Sequence, residues 1–317
     1  MELEGIHHVT CITGDAPANL DFYARILGLR LVKKTVNQDD PTVYHLFYAD
    51  DAGSPGADLT FFEYPGARRG RAGAGMVHTI VFRVASEAAL DFWAARLAAE
   101  GVAAARRPGA LAFADPEGLQ LELAVVATAD APLRAAHGSI RAEHALLGFD
   151  SVRAYSRHPE QSRRFLEEIL GFAPLDGADP DAAGTAAGAV AAWESRGSER
   201  GSLYAFDPAP GDPGIGGAGT VHHVAWSTRM DEQEGWHARV TSAGARPSPV
   251  IDRFWFRSIY FREPSGVLFE LATMGPGFAV DEGPAHLGES LVLPPAFEHL
   301  RAQIEPALTP LPDPRTL

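Results

Sequence analysis

The chain has 317 residues, of which 46% are hydrophobic and 21% are charged, and its formal net charge is −14. This length suits about two domains, and the composition excludes sustained disorder because disordered chains are poor in apolar residues. The acidic charge argues against a nucleic-acid partner. With no apolar run of about 18 residues, no secretory signal and a single cysteine, Cys11, we expect a soluble cytoplasmic protein with no membrane partner.

A fourfold repeat organises the chain. Four similar segments each follow a glycine, and their aligned first-strand positions, 71 or 72 residues apart, hold His8, Thr79, Ser151 and His223. Each segment predicts a β-strand, then a cap signal, a helix that ends at a glycine, and further short β-rich stretches. We therefore predict an α+β fold made of four βαβββ modules.

The modules are predicted at 4–65, 75–126, 147–207 and 219–273, and a Pro-rich C-terminal extension follows at 274–317. Units one and three share the end of their helix, Ile-Leu-Gly. Units two and four share a final strand that contains Glu122 or Glu270. The chain therefore reads as a two-unit block that was duplicated once.

Metal-binding side chains occupy the aligned positions unevenly. The first strand supplies His8 in unit one and His223 in unit four, whereas the other two units have threonine and serine there. Suppose that each site combines one odd-numbered unit with one even-numbered unit. The odd unit would supply its first-strand residue, and the even unit would supply both its first-strand residue and its final-strand glutamate. The complete set is then His8, His223 and Glu270, which predicts that unit one pairs with unit four.

Two imidazoles and one carboxylate form the facial triad of non-haem Fe(II) oxygenases, which leaves three coordination positions for substrate and dioxygen. The same residues suit a zinc site, and a single strand histidine is otherwise a core or surface residue. The repeat register favours a metal site. We expect Fe(II) ahead of Mn(II) or Zn(II), with dioxygen as the co-substrate.

Several motifs spread along the chain carry a family resemblance. They are His7-His8-Val9-Thr10, the segment 44–50 with Gly53-Ser54-Pro55-Gly56, the pair His222-His223, the segment 266–270, and in the tail Gly277-Phe278 and Leu287-Gly288. In these motifs the sequence resembles the vicinal oxygen chelate superfamily, and within it the ring-cleaving dioxygenases that open hydroquinones, such as dichlorohydroquinone dioxygenase. The resemblance implies that His8, His223 and Glu270 bind Fe(II) between units one and four. It also implies that the substrate is a hydroquinone-like or catechol-like ring.

The resemblance further implies catalytic residues around the triad. It places Tyr260 and Arg253 beside the substrate hydroxyls, where tyrosine can exchange a proton and arginine can stabilise anionic oxygen. The alternatives are a strand aromatic and a surface charge. It also places His7 and His222 near the substrate, although neighbouring strand residues normally face opposite ways, which favours a supporting or core role. His45 is interpreted as a core or scaffold residue.

Two other functions stay open. A glyoxalase-type isomerase or lyase would use a fourth protein ligand, for which Glu63 is the candidate, although Glu63 also fits a solvent-facing strand end. A drug-sequestering protein of the same fold would need no redox metal, so the complete triad argues against it. As partners we expect a small aromatic substrate, no nucleic acid and no membrane, while a homo-oligomer is left open.

Overall fold

Units one and two each contain one strand, one helix and three further strands. In the computed structural model of the chain, residues 1–175 and 188–314 are described. Unit one contains β1 (Ile6–Thr13), helix α1 (Ala16–Leu20) continued by a π-helical segment (Asp21–Ile26), β2 (Arg30–Asn37), β3 (Asp40–Ala49) and β4 (Asp58–Glu63). Unit two contains β5 (Met76–Val84), α2 (Glu87–Ala99), β6 (Ala104–Arg107), β7 (Ala110–Ala114) and β8 (Gln120–Val125).

Units three and four repeat the same order. Unit three contains β9 (Phe149–Ser156), α3 (Glu160–Arg164) continued by a π-helical segment (Phe165–Ile169), β10 (Ala173–Pro174), β11 (Ala191–Arg196) and β12 (Gly201–Pro208). Unit four contains β13 (Thr220–Thr228), α4 (Gln233–Ser242), β14 (Ile251–Asp252), β15 (Arg257–Arg262) and β16 (Leu268–Thr273). The glycines after the four helices, Gly28, Gly101, Gly171 and Gly244, have positive φ, as their predicted role in ending the helices requires.

The strands of the described residues form two eight-stranded sheets. Their orders are β14-β15-β16-β13-β1-β4-β3-β2 and β10-β11-β12-β9-β5-β8-β7-β6. In the first sheet β1 pairs antiparallel with β13, and each of these pairs in parallel with the last strand of its own unit. The predicted α+β fold of four βαβββ units is therefore confirmed, and unit one shares a sheet with unit four as predicted. The boundaries proposed for the units stay a prediction.

Each central first strand contains a β-bulge. Between β1 and β13, His7 is the extra residue on one strand and His222 is the extra residue on the other. His78 and Asp150 are the extra residues at the corresponding places of the second sheet. A bulge interrupts the alternation of side chains, so two consecutive residues can present atoms to the same place. The bulges therefore determine the directions in which the two side chains of each histidine pair point.

The C-terminal extension covers β2, which would otherwise be a free edge of the first sheet. Val292 N donates to Lys34 O over 2.9 Å, and the Lys34 ammonium donates to Glu289 O over 3.1 Å. The extension contains 3₁₀ turns at Phe278–Val280, Pro284–His286, Glu298–Leu300 and Glu305–Ala307, and helix α5 at Arg301–Ile304. Covering an edge strand prevents its unpaired backbone groups from pairing with other chains. Among the described residues, none of the helices is long and apolar enough to cross a membrane.

Candidate metal centre

Three donor atoms from unit one and unit four converge in the first sheet. His8 Nε2 lies 3.3 Å from His223 Nε2 and 3.2 Å from Glu270 Oε2, and His223 Nε2 lies 2.9 Å from the same oxygen. The exposed fractions of His8, His223 and Glu270 are 1%, 4% and 0%. One ion at about 2.1 Å from each donor would span such a triangle. The structure thus brings together the three residues that the repeat register selected.

Strand register explains this convergence. His223 on β13 lies opposite Thr10 on β1, two residues beyond His8, and Glu270 on β16 lies beside Ala225, two residues beyond His223. Because a two-residue step returns to the same face of a strand, the three side chains meet on one face of the sheet. The site depends on the contact between the first and last units and cannot form within either alone.

The first histidine of each pair contacts the second through its ring. His7 Nδ1 lies 2.9 Å from His8 Nδ1, and His222 Nδ1 lies 2.7 Å from His223 Nδ1. Since the Nε2 atoms of His8 and His223 face Glu270, a metal there leaves each ring to donate from Nδ1–H to its neighbour. His7 then carries its own proton on Nε2 and donates it to Thr273 O over 3.2 Å.

Both supporting histidines are held in the neutral form. Burial and the adjacent His8 lower the pKa of His7 to about 3. The ring of His222 is solvent-exposed on one side, and its partial desolvation together with the adjacent His223 lowers its pKa to about 4. A neutral ring can accept the hydrogen bond that each pair requires. The alternation expected of a regular strand fails here because His7 and His222 are bulge residues. Neither lines the pocket above the donors, and their part in catalysis stays a prediction.

The charge pattern of the three donors suits a cation. Burial alone would raise the pKa of Glu270, but His8 and His223 outweigh it and hold this pKa well below its usual range. Glu270 Oε1 accepts a hydrogen bond from Ser258 Oγ, whereas the buried Oε2 faces the Nε2 atoms of the two imidazoles. A buried anionic oxygen is costly unless a positive charge meets it. The residues therefore fit a divalent metal ion.

A pocket with aromatic walls lies above the donors. It is lined by His8, His223, Asn37, Gln38, Asp39, His45, Phe47, Phe62, Arg253, Trp255, Phe256 and Tyr260. Tyr260 lies opposite Glu270 in the β15–β16 ladder, and its ring centroid is 5.6 Å from that of His223. The Arg253 guanidinium lies 5.4 Å from the centre of the Tyr260 ring and forms two hydrogen bonds with Asp39, of 3.1 and 2.9 Å.

His45 is one of the lining residues that the sequence analysis did not place at the site. It was interpreted as scaffold because it lies in a plain strand pattern, yet its ring lines the pocket and its Nε2 lies 2.9 Å from Thr60 Oγ1. Burial, together with His8, lowers its pKa well below the ordinary value, so the ring is neutral. Its place in the motif 44–50 was the one signal available in the sequence.

The position that would complete a four-residue metal site holds a threonine. Thr60 lies beside Thr10 on β1, as Glu270 lies beside Ala225 on β13, so Thr60 is the unit-one counterpart of Glu270. Its hydroxyl lies 2.8 Å from that of Thr10 and contacts His45. Glu63, the candidate for this place in the glyoxalase-type alternative, lies three positions further on, and it is buried rather than solvent-facing. Its carboxylate accepts from Ala16 N and Thr309 Oγ1, away from the donors.

The equivalent place in the second sheet has no comparable donor set in the part of the chain that is described. Glu122 is the counterpart of Glu270 there, but its carboxylate is 2.6 Å from the Arg107 guanidinium. The histidines are replaced by Thr79 and Ser151. An arginine therefore neutralises the charge that a metal would neutralise in the first sheet.

A second group of donors, His7, His8 and Asp58, lies behind the first. It involves the Nδ1 edge of His8, which already contacts His7. Burial and the nearby Asp50 raise the pKa of Asp58 well above its usual range, so its carboxyl is neutral and a weak ligand. The triad is accordingly the better metal site of the two.

Comparison with known proteins agrees with this architecture. The chain belongs to the Glyoxalase/Bleomycin resistance protein/Dioxygenase superfamily, whose family model matches residues 5–123 and 148–271. Among its relatives is the Bacillus subtilis protein named "Putative ring-cleaving dioxygenase MhqA", 40% identical over 98% of this chain and 100% of that protein. The "Chlorohydroquinone/hydroquinone 1,2-dioxygenase" of Sphingobium indicum is 31% identical over 95% of each chain. A crystal structure described as a "putative dioxygenase" from Bacillus subtilis matches with a TM-score of 0.89, at 38% identity and 98% coverage of both chains.

Proposed function

We propose that this protein is an Fe(II)-dependent ring-cleaving dioxygenase of the extradiol type that acts on a hydroquinone-like or catechol-like aromatic. The carrying observation is a buried cluster of two imidazoles and one carboxylate below an aromatic pocket, with Thr60 in the place of a fourth ligand. Such a cluster leaves coordination positions for both an aromatic hydroxyl and dioxygen. The names of the relatives MhqA and chlorohydroquinone/hydroquinone 1,2-dioxygenase support the ring-cleaving dioxygenase part of this proposal.

In this proposal His8, His223 and Glu270 hold the metal, and bound Fe(II) supplies the redox chemistry by which both atoms of dioxygen enter the ring-opened product. His7 and His222 fix the tautomers of the two imidazole ligands by accepting hydrogen bonds from Nδ1–H. Because both supporting rings are neutral, they add no charge to the site. The net charge of the protein ligands is then the single negative charge of Glu270.

Tyr260, Arg253 and His45 are the groups that handle substrate protons in this proposal. Burial and Glu270 raise the pKa of Tyr260, so its hydroxyl stays protonated and donates to a phenolate oxygen. The Arg253 guanidinium, next to that ring, stabilises negative charge on oxygen. His45 is neutral and lines the same pocket, where it can accept a proton from a ring hydroxyl.

Aromatic side chains form a large part of the pocket wall. Phe47, Phe62, Trp255 and Phe256 surround the open side of the donors, and Trp255 and Phe256 are 2% and 5% exposed. Aromatic walls suit a planar ring, and excluding water strengthens the electrostatic interactions within the site. The glyoxalase-type alternative needs a fourth protein ligand, and the threonine at position 60 disfavours it.

The test is anaerobic loading with Fe(II), followed by oxygen uptake with hydroquinones, catechols and a methylglyoxal–thiol adduct. We expect uptake with the aromatic diols, and loss of both iron binding and uptake in His223→Ala and Glu270→Ala. Glu122→Ala, which removes the corresponding glutamate of the second sheet, is the matched control and is expected to keep both. Isomerisation of the thiol adduct without oxygen uptake would contradict the proposal.

A further inference from the structure

The C-terminal extension is attached to the first sheet through a buried lysine. Lys33 on β2 is 0% exposed, and its ammonium contacts Phe278 O at 3.2 Å, Asp281 Oδ1 at 2.8 Å and the carboxylate of Glu282. A buried ammonium is strongly unfavourable without opposite charge. Both of its counter-charges lie about 250 residues away in sequence, so the extension is required to neutralise the charge of Lys33.

Asp281 has a second contact that Glu282 lacks. Its Oδ2 accepts a hydrogen bond of 3.0 Å from Trp255 Nε1. The Lys33 ammonium also lies 5.2 Å from the centre of the Trp255 ring, and Gly277 N donates to Trp255 O over 2.9 Å. Asp281 therefore joins the extension to one particular indole ring.

That indole ring is a wall of the pocket above the donors. Trp255 lines the pocket together with Phe47 and Phe256, and the Phe256 ring centroid lies 5.3 Å from that of His8. The residue before it, Phe254, has φ +73°, a left-handed conformation that costs energy for a non-glycine residue. A strained loop needs outside contacts to hold one conformation, and the extension supplies those made by the backbone oxygen and the indole N–H of Trp255.

We propose that Asp281 is a positioning residue that, with Lys33, orients Trp255 as the wall deciding which ring substituents the pocket admits. The C-terminal extension then supports a wall of the substrate pocket and does more than cover β2. This inference rests on the proposed function, since it concerns the fit of an aromatic substrate above the metal ligands. None of Asp281, Lys33 and Trp255 belongs to the triad.

The experiment compares Asp281→Ala and Trp255→Phe with Glu282→Ala. Trp255→Phe removes the indole N–H donor, and Glu282→Ala removes the other counter-charge of Lys33 without touching Trp255. We measure kcat and KM for hydroquinone and for its methyl and tert-butyl derivatives. Asp281→Ala and Trp255→Phe should change the ratio of kcat/KM between hydroquinone and tert-butylhydroquinone by about tenfold, mainly through KM. Glu282→Ala should leave this ratio within about twofold while lowering stability as Asp281→Ala does.

A second measurement does not need turnover. The emission of Trp255, obtained as the difference between a chain with tryptophan and one with phenylalanine at position 255, should shift to the red in the Asp281→Ala background and not in the Glu282→Ala background. If no aromatic is turned over, the proposed function fails, and anaerobic binding of the same hydroquinones replaces kcat/KM as the test of selectivity. Equal selectivity changes in Asp281→Ala and Glu282→Ala, or no change in either, would overturn the inference.

Discussion

Replacing His7 should weaken metal binding far more than replacing His222, although the two residues have the same role by sequence. In the metal-bound form the Nδ1–H of His8 donates to His7, and that of His223 donates to His222. His7→Leu leaves the Nδ1–H of His8 without an acceptor in a position that is 4% exposed. His222 is exposed, so in His222→Leu a water molecule can accept the hydrogen bond instead.

The size of the difference follows from these exposures. A buried donor left without an acceptor costs about 1–3 kcal/mol, which corresponds to roughly 5- to 150-fold in affinity. In the metal-free chain His8 can carry its proton on Nε2 and donate it to Glu270 Oε2, 3.2 Å away. The penalty therefore falls on metal binding rather than on folding. For His222→Leu we expect a loss below about fivefold, because water replaces the acceptor.

The measurement is competition of the metal-free chain with a chromophoric chelator, for Fe(II) without oxygen and for the redox-inactive Zn(II). His7→Gln is the matched variant, since its amide oxygen can accept from His8 and should restore part of the affinity. Circular dichroism and urea unfolding report whether each variant folds. Equal losses in His7→Leu and His222→Leu, or no rescue in His7→Gln, would refute the proposed tautomer chain.

Three further predictions concern stability. Because burial lowers the pKa of His7 to about 3 from its ordinary value of 6.5, the unfolded chain binds the extra proton below pH 6.5. The unfolding free energy of the metal-free chain should therefore fall as the pH is lowered, by about 1 kcal/mol from pH 6.5 to 5.5 and by less from pH 7.5 to 6.5 from this residue alone, as urea unfolding at these three pH values can measure. Asp58 is 1% exposed with neither oxygen hydrogen-bonded, so Asp58→Leu should raise the urea-unfolding free energy by about 1–3 kcal/mol, and a lower value would show that the carboxyl has a partner. Gly288 has φ +74°, and a Cβ there would lie 2.0 Å from Leu31 O, so Gly288→Ala should cost about 2 kcal/mol or more and expose the extension to limited proteolysis. Gly283→Ala should do neither, because Gly283 has φ −64° and its Cβ would meet only His286 Cδ2, at 3.8 Å.

Much of the architecture follows from the repeat. Four similar openings 71 or 72 residues apart predict four equivalent units, and strand-forming, cap and helix patterns within each unit depend on nearby residues. The pairing of unit one with unit four followed from the distribution of His8, His223 and Glu270. The sequence holds only one complete set of ligands, and its members lie in units one and four, so these two units must meet to form the site. Such local and repeated patterns are what a sequence expresses directly.

The sequence predictions failed where a single extra residue changed the side-chain alternation of a strand, or where segments distant in sequence came into contact. A bulge at His7 turned a strand pair that should alternate into a hydrogen-bonded pair of rings. Glu63 was considered as a fourth ligand from its chemistry alone, but strand register places Thr60 at that position. Composition does not reveal a shift of three residues along a strand, but such a shift decides which side chain lies next to the metal donors.

The sequence by itself determined the number of units, their internal order, and the three residues able to form one complete metal-binding set, because these depend on residue type and spacing. Tertiary structure alone decided that His45 lines the pocket and that Asp281 and Glu282 neutralise Lys33. Both depend on side chains meeting across strands and segments that are far apart in the chain. Sequence periodicity does not predict such contacts, since burial and opposite charge select partners only after the sheets have formed.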